Sequence, residues 1–477
     1  SPFAHDKLFI GAAMNVLANL LDWESVEQRM VESLKSHPLA PALQTLVAEE
    51  CVILVRNWYG QLMLLLPCTR RELERSSCLP LVEDLRSQAG SLALPTWVMC
   101  RDELFGAEAY WSDPALLPLL HAPVQLMLLE RQDKDRDWLL PTQGGHATRH
   151  AKRCVFFSIK GGVGRSSALT MLAIELARQG KRVLVVDGDF ESPGLSSSLL
   201  PHGDGQPPYG AVDWLTAQAL GADIQTLKDM ALKQVVEHSP LNARLALKGQ
   251  LLVAPAYGQH TQTYVAKLAR LYRQSPDGQT YAQRLNQLLT TIETEHGIDV
   301  TLFDSRAGID ETSAVAVTQL KADVSFLFAI NTRQTWDAYR LLFQHLQRNR
   351  LLFNNQIGSD SDEWSLRESL HVISALTPQE AGAYVGYFEN LQSNSYDTFC
   401  EIYDEDVYNE EGQINPHVFA PSPDDAEAPH FAAKVMWNDA LRAFNPLNEP
   451  DLIIESIVQA AFSEFINKAN YLLGIER

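Results

Sequence analysis

The residues with the clearest chemistry are Lys160-Gly161-Gly162-Val163-Gly164-Arg165-Ser166-Ser167. Glycines at this density let successive backbone N–H groups turn toward one point, and a helix starting near Arg165 adds the positive end of its dipole there. The pattern predicts a loop that binds a phosphate anion, with Ser166 at the position whose hydroxyl coordinates magnesium. Two residues depart from the common G-x-x-x-x-G-K-[ST] form: Ile159 stands for the first glycine and Arg165 for the lysine. Arginine keeps the charge but grips two oxygens with a planar fork, where lysine acts as a point charge. The expectation is anion binding with slow turnover.

The elements around the loop must aim it. Cys154-Val155-Phe156-Phe157-Ser158-Ile159 reads as a buried parallel strand and Ala168 to Ala177 as an amphipathic helix. A second strand, Arg182-Val183-Leu184-Val185-Val186-Asp187, delivers Asp187 and Asp189 to its C-terminal end, where ligands bind in open α/β sheets. A third, Ile298-Asp299-Val300-Thr301-Leu302-Phe303-Asp304, ends in another carboxylate. Leu251 to Ala256, Val324 to Asn331 and Val372 to Pro378 read as further core strands.

Taken in order, these segments resemble the deviant Walker A ATPases of the MinD/ParA type, in a subgroup whose loop reads KGGVGR. The resemblance covers roughly residues 152 to 378 by motif. It implies that Lys160 reaches across a nucleotide-sandwiched dimer to the partner's phosphates. It also implies that Asp189, in a segment similar to switch I, orients the attacking water while Asp187 supports magnesium through its shell. Asp304-Ser305-Arg306-Ala307-Gly308 is similar to the Walker B and switch II element, usually D-S-P-A-G. By that likeness Asp304 holds a magnesium water and Gly308 lets the backbone approach the γ-phosphate. Arg306 replaces the usual proline, so the switch moves differently or carries a second cation. Glu191 has no assigned role.

Composition narrows the function. The chain has 477 residues, 46% of them hydrophobic, and a formal net charge of −20. That balance disfavours a DNA-partitioning role, because an acidic protein is repelled by phosphate backbones. Local basic candidates are Arg149, Lys152 and Arg153 before the first strand, and Arg340, Arg348 and Arg350 on a helix. The last helix, roughly Leu452 to Leu473, has an apolar face but mostly acidic charge beside it, with Asp451, Glu455 and Glu464. Packing on the sheet is expected of it, not docking on anionic lipid. Six irregularly spaced cysteines read as buried thiols of a cytoplasmic protein, and neither C-x-x-C nor H-E-x-x-H occurs. No run of apolar residues is long enough for a membrane span, and no signal peptide is visible. The chain begins at Ser1, so that last absence carries little weight.

Residues 1–130 read as a smaller α/β accessory unit, with a hairpin from Val52–Val55 and Gln61–Leu66 and further strands at Val98–Cys100 and Val124–Leu129. A charged and then glycine-bearing stretch at 131–150 reads as a linker. Residues 389–427 are acidic and hold neither lysine nor arginine; they read as a solvated insertion, with Tyr396, Phe399, Tyr403 and Tyr408 offering a second reading as a docking surface. Trp437 and Asn445-Pro446-Leu447 read as a return to the core.

The fold expected is therefore α/β: a P-loop NTPase with a doubly wound, mainly parallel sheet over 151–477, preceded by the accessory domain. The expected ligands are ATP, at Lys160 through Ser167 and Gly308, and Mg2+, at Ser166, Asp187 and Asp304. Lys160, Arg165 and Asp189 are the expected catalytic set. The expected function is an ATP-binding, slowly hydrolysing switch that forms an ATP-dependent homodimer and docks a protein partner through the accessory domain or the acidic insertion. Nucleic acid and membrane are disfavoured as partners. The alternative is a non-hydrolysing nucleotide-sensing scaffold in a multiprotein bacterial system such as antiphage defence, which the Ile159, Arg165 and Arg306 departures favour.

Overall fold

The computed structural model describes residues 23–48, 50–57, 59–113, 116–131, 150–272, 279–348, 365–404, 419–439, 445–454 and 456–475. The chain divides into two compact units, Ser1–Arg136 and Asp137–Arg477. Most of the 131–150 stretch read as a linker lies outside the described residues, as do Arg149 and Arg350.

In the first unit, β1 (Val52–Arg56) and β2 (Leu62–Leu66) form the expected antiparallel hairpin, with Ile53 opposite Leu65. With β3 (Ala93–Cys100), β4 (Leu116–Leu120) and β5 (Leu126–Glu130) they make a five-stranded sheet in the order β3-β2-β1-β5-β4. β1 is central and buried along its whole length, as an unbroken apolar run requires. Its last residue, Arg56, is buried and paired with Glu130, its register partner on β5, and with Glu27 at 3.2 Å. Helices α1 (Trp23–Ser36) and α2 (Leu79–Ala89) supply much of this unit's remaining apolar core, and the Trp97 indole donates to the Val82 carbonyl at 3.0 Å.

The second unit is built on eight strands: β6 (Lys152–Ser158), β7 (Arg182–Asp187), β8 (Glu237–His238), β9 (Gln250–Ala254), β10 (Val300–Asp304), β11 (Val324–Ala329), β12 (Leu370–Thr377) and β13 (Ala433–Met436). Their order is β13-β12-β11-β6-β10-β7-β9-β8, and every pairing is parallel except β8 with β9. β6 therefore sits mid-sheet, and α3 (Arg165–Arg178) leaves the loop at its C-terminal end. One layer of core includes α6 (Tyr281–His296) and α7 (Arg333–Arg348), and the other includes α3 and α9 (Ser456–Leu472). Between these helices in sequence come α4 (Ala211–Ala219), α5 (Tyr264–Leu271) and α8 (Tyr387–Phe399). The two-sided covering explains why the strands read as continuous hydrophobic runs.

The last helix packs on the sheet. Val458, Ala461, Phe462, Phe465 and Ala469 are buried with α3 and the strands, and Phe465 meets Phe326 and Phe328 at ring separations of 5.2 and 6.0 Å. No helix among the described residues is long and apolar enough to cross a membrane.

Three readings change. The acidic stretch does not begin as a solvated loop: residues 389–399 lie in α8, where Leu391 and Phe399 are buried. Tyr403 is also buried, its hydroxyl 2.8 Å from His430 Nδ1, so Phe399 and Tyr403 are core and not a docking face, while Tyr396 is half-buried beside them. Tyr408 lies outside the described residues. The basic candidates near β6 are consumed internally: Arg153 is buried on Glu293 at 2.7 Å and Lys152 pairs with Asp323 at 3.0 Å. Arg340 lies between Asp337 and Glu401, at 3.6 and 3.7 Å.

Phe465→Ala should destabilise the chain by about 3–5 kcal/mol through lost burial and the cavity left among Phe156, Phe326 and Phe328. Urea unfolding monitored by circular dichroism measures it; a loss under about 1 kcal/mol would mean that α9 is not part of the cooperative core.

Candidate functional site

Parallel register brings the site together. Asp304 at the end of β10 lies opposite Asp187 at the end of β7 and opposite Phe156 on β6. The chain of β6 continues past Phe156 to Ser158 and the glycine loop, so two carboxylates and the loop meet at one edge of the sheet. The approach is close: Gly188 N–H donates to the Asp304 carbonyl at 3.0 Å, and a Cβ on Gly188 would stand 2.9 Å from that oxygen and 2.2 Å from the Phe303 ring.

The loop's shape depends on Gly162 and Gly164, with φ of +73° and +76°. Gly164 immediately precedes α3, and a Cβ there would come within 3.2 Å of Leu376. Among the described residues, the backbone N–H groups from Gly161 to Ser167 have no acceptor within the chain. They form a set of donors at a helix N-terminus, the arrangement that receives a phosphate.

Under the loop, Arg165 and Ser166 converge on Asp304. Arg165 Nε donates to Oδ1 and Ser166 Oγ to Oδ2, each at 2.7 Å, and a second Arg165 nitrogen reaches Ser158 Oγ at 3.2 Å. Arg165 is buried, and its guanidinium lies on the carboxylate in this structure, not in the mouth of the loop. Burial holds the Asp304 carboxyl above its ordinary range, against the opposing pull of the Arg165 charge. Asp187 is fully buried; desolvation, with the Asp304 charge added, pushes its carboxyl up to about 7. One oxygen, Oδ2, accepts from Ser196 N–H at 3.2 Å, while Oδ1 is buried with no partner.

An orphaned carboxylate oxygen beside a serine hydroxyl and a second carboxylate suits a hard divalent cation. No group of three or more His, Cys, Asp and Glu side chains able to hold a metal occurs among the described residues, so such an ion would draw its remaining ligands from phosphate and water. The donor set fits magnesium held against a nucleotide.

The other expected residues are less converged. Asp189 accepts from the Ser192 N–H at 3.3 Å and hydroxyl at 3.0 Å. The Lys160 side chain is half-exposed and has no hydrogen-bond or ion-pair partner among the described residues. Gly308, at φ +99°, donates its N–H to the Ser158 carbonyl at 2.9 Å. Glu191 does have partners: Arg306 at 3.4 Å and the Tyr272 hydroxyl at 2.6 Å.

Beside the loop lies a cavity of about 440 Å³ whose far wall includes Leu376, Met436, Trp437 and Asn438. Trp437 is 42% exposed there, with its backbone N–H bonded to the Thr377 carbonyl at 2.8 Å, which corrects its reading as a core residue. Sequence reasoning missed this wall because β13 is only four residues long and pairs with β12 across a register shift. The one available signal was an aromatic and an amide, Trp437-Asn438, directly after a short apolar run.

An acid whose folded pKa is raised holds its proton more tightly when folded. Its contribution to stability is full below the ordinary value of 3.8 and is lost as pH rises through about 7. The stability of Asp187→Asn relative to the parent should therefore rise by about 2–4 kcal/mol between about pH 4 and pH 8. Urea unfolding across that range tests it, and parallel pH profiles for the two proteins would refute the burial argument.

Residues 154–349 match the family described as the CobQ/CobB/MinD/ParA nucleotide binding domain. Among solved structures, a ParA family ATPase from Chlorobium tepidum is 14% identical, with 68% of this chain and 99% of that chain covered at a TM-score of 0.40. The ATP complex of a Cyanothece McdA variant is 12% identical, covering 69% and 98%, also at 0.40. The Aquifex aeolicus MinC:MinD cell division complex is 16% identical, covering 69% and 98%, at 0.37. No curated protein matches the chain. The loop, the paired carboxylates and the family match agree: residues 154–349 carry a P-loop nucleotide-binding domain of the MinD/ParA kind.

Proposed function

We propose that the chain is an ATP-binding, slowly hydrolysing switch whose nucleotide state governs self-association and partner binding in the cytoplasm. The observation that carries this reading is the convergence of Ser166, Asp304 and the orphaned Asp187 oxygen beneath a loop of unengaged N–H donors. The loop would hold the phosphates, and Mg2+ bound there would neutralise their charge. Ser166, Asp187 and Asp304 would hold that ion, and Asp189, on the strand-end segment beside them, would orient water. The Lys160 side chain, without a hydrogen-bond or ion-pair partner among the described residues, would reach phosphates of a second subunit. The accessory unit is the proposed docking site for a protein partner.

Trp437 extends the proposal to the base. An exposed indole across a cavity from a phosphate loop suits stacking on a purine, with Asn438 beside it to meet the ring edge.

One observation favours the second reading, a nucleotide-sensing scaffold without hydrolysis. Arg165 is buried against Asp304, and a cation so engaged does not stabilise charge on a transferring phosphoryl group. Turnover measurements on the purified chain separate the readings: release of phosphate from ATP and Mg2+ supports the switch, and tight binding without release supports the scaffold.

Lys160→Ala should bind ATP within about threefold of the parent, since it removes no side-chain hydrogen bond or ion pair found among the described residues, yet lose the ATP-dependent dimer. Light scattering with and without ATP and Mg2+ reads this, and a persisting dimer would remove the role across the subunits. Trp437→Ala should weaken ATP binding by about 1–3 kcal/mol, the worth of one base–aromatic stack, while leaving inorganic triphosphate binding unchanged. Calorimetric titration compares the two ligands; equal losses would mean that Trp437 shapes the loop and not the base site.

A further inference from the structure

Two arginines stand at the site, and they are held differently. Arg165, at the loop position read as phosphate-binding, is buried with its Nε 2.7 Å from Asp304. Arg306 is carried by the segment that leaves β10 directly after Asp304. That segment is fastened to β6 on both sides of the arginine: Ser305 N–H donates to the Phe156 carbonyl at 3.0 Å, and Gly308 N–H donates to the Ser158 carbonyl at 2.9 Å. Ser158 is the last residue of β6, and the glycine loop opens just beyond it at Lys160. Arg306 is thereby placed between two anchors on the strand that feeds the loop, next to the carboxylate that Ser166 bonds.

The backbone is pinned, but the side chain is held loosely. Its guanidinium lies between Glu191 and Asp310, with a nitrogen–oxygen separation of 3.4 Å to each. Charge-assisted bonds to a carboxylate run at about 2.7–2.9 Å, so neither contact is a full hydrogen bond. The two carboxylates have firmer partners of their own. Glu191 accepts from the Tyr272 hydroxyl at 2.6 Å, and Asp310 accepts from the Thr312 and Ser313 N–H groups at 2.9 and 3.0 Å. Both are partly exposed, so the departure of Arg306 would leave two carboxylates already in contact with water. The departure of Arg165 would leave Asp304 buried and unpaired, which is far costlier.

We propose that Arg306 is the side chain that tells a nucleoside triphosphate from a diphosphate, leaving Glu191 and Asp310 to bind the terminal phosphate. The inference rests on the reading of the glycine loop as a nucleotide site. In loops of this kind the backbone N–H groups cradle the inner phosphates, and the terminal one lies toward the serine and carboxylate that hold magnesium. Ser166 and Asp304 occupy that side here, and Arg306 is on the segment leaving Asp304. A terminal phosphate carries more charge than a carboxylate and offers paired oxygens to a planar guanidinium, so it outcompetes Glu191. A diphosphate presents no such group, and Arg306 stays on its carboxylates. Glu191 is then a positioning residue: it keeps the cation beside the site and competes with the phosphate for it.

The test is calorimetric titration of the full chain, in magnesium, with ADP and with a non-hydrolysable ATP analogue. The parent should prefer the analogue. Arg306→Ala should weaken analogue binding about tenfold or more, the worth of a charge-assisted bond to phosphate, and leave ADP within about twofold. Glu191→Gln keeps an oxygen for Tyr272 but removes the competing charge, so it should strengthen the analogue about two- to fivefold with ADP unchanged. Opposite signs from the two partners of one ion pair are the result a merely structural bridge would not give, because breaking it from either side has the same effect. The inference is overturned, with the nucleotide site left standing, if the parent binds both ligands equally, if Arg306→Ala keeps the parent's preference, or if Glu191→Gln weakens the analogue or leaves it unchanged. A parent that binds neither ligand overturns the site reading and this inference together. Should Arg306→Ala fail to fold, the parent and Glu191→Gln still decide the matter.

Discussion

Asp304 is the point on which the nucleotide-binding unit depends. Its side chain takes bonds from the first two residues of α3, while its backbone carbonyl receives Gly188 N–H from the segment after β7. Ser305 N–H, the next donor in the chain, bonds the Phe156 carbonyl on β6. Three parallel strand ends and one helix start are thus tied within two residues. A carboxylate so deeply buried is costly to ionise, and the Arg165 guanidinium is what offsets that cost.

The same arrangement explains why Asp187 is left without charge compensation. Arg165 is engaged by Asp304, and Asp187 faces that neighbour's negative charge with the Ser196 N–H on one oxygen and no partner at hydrogen-bonding geometry on the other among the described residues. A stable fold without a ligand would satisfy that oxygen or replace the residue by an apolar one. Retaining an unsatisfied buried carboxylate beside a phosphate-type loop is the pattern of a site shaped for a cation it does not itself complete.

The strands ending in Asp187 and Asp304 were legible because a buried parallel strand writes itself as an unbroken apolar run, and the carboxylate marks where it leaves the core. The glycine loop was legible because Gly162 and Gly164 adopt positive φ, which few other residues tolerate. What the sequence concealed were relations between distant segments. Nothing local announces that Arg165 turns inward to Asp304, since loop arginines in either direction share one spelling. Trp437 likewise read as core because an isolated tryptophan carries no sign of which side faces solvent. The acidic stretch misled in the opposite sense: charge count dominated its reading, while the helical spacing of Leu391, Ser395, Thr398 and Phe399 is what buries it.

Two arginines at this site differ in what it takes to move them. Arg165 and Asp304 are both buried, and separating such a pair leaves an uncompensated charge, at about 3–5 kcal/mol. Arg306 is 39% exposed and shared between Glu191 and Asp310 at 3.4 Å each; exposed contacts of that kind are worth about 0–1 kcal/mol. Arg306 and Glu191 join the segments that follow Asp304 and Asp187. Of the two arginines, Arg306 has the contacts that break at little cost. Releasing Arg165 would need an incoming charge to replace its hold on Asp304.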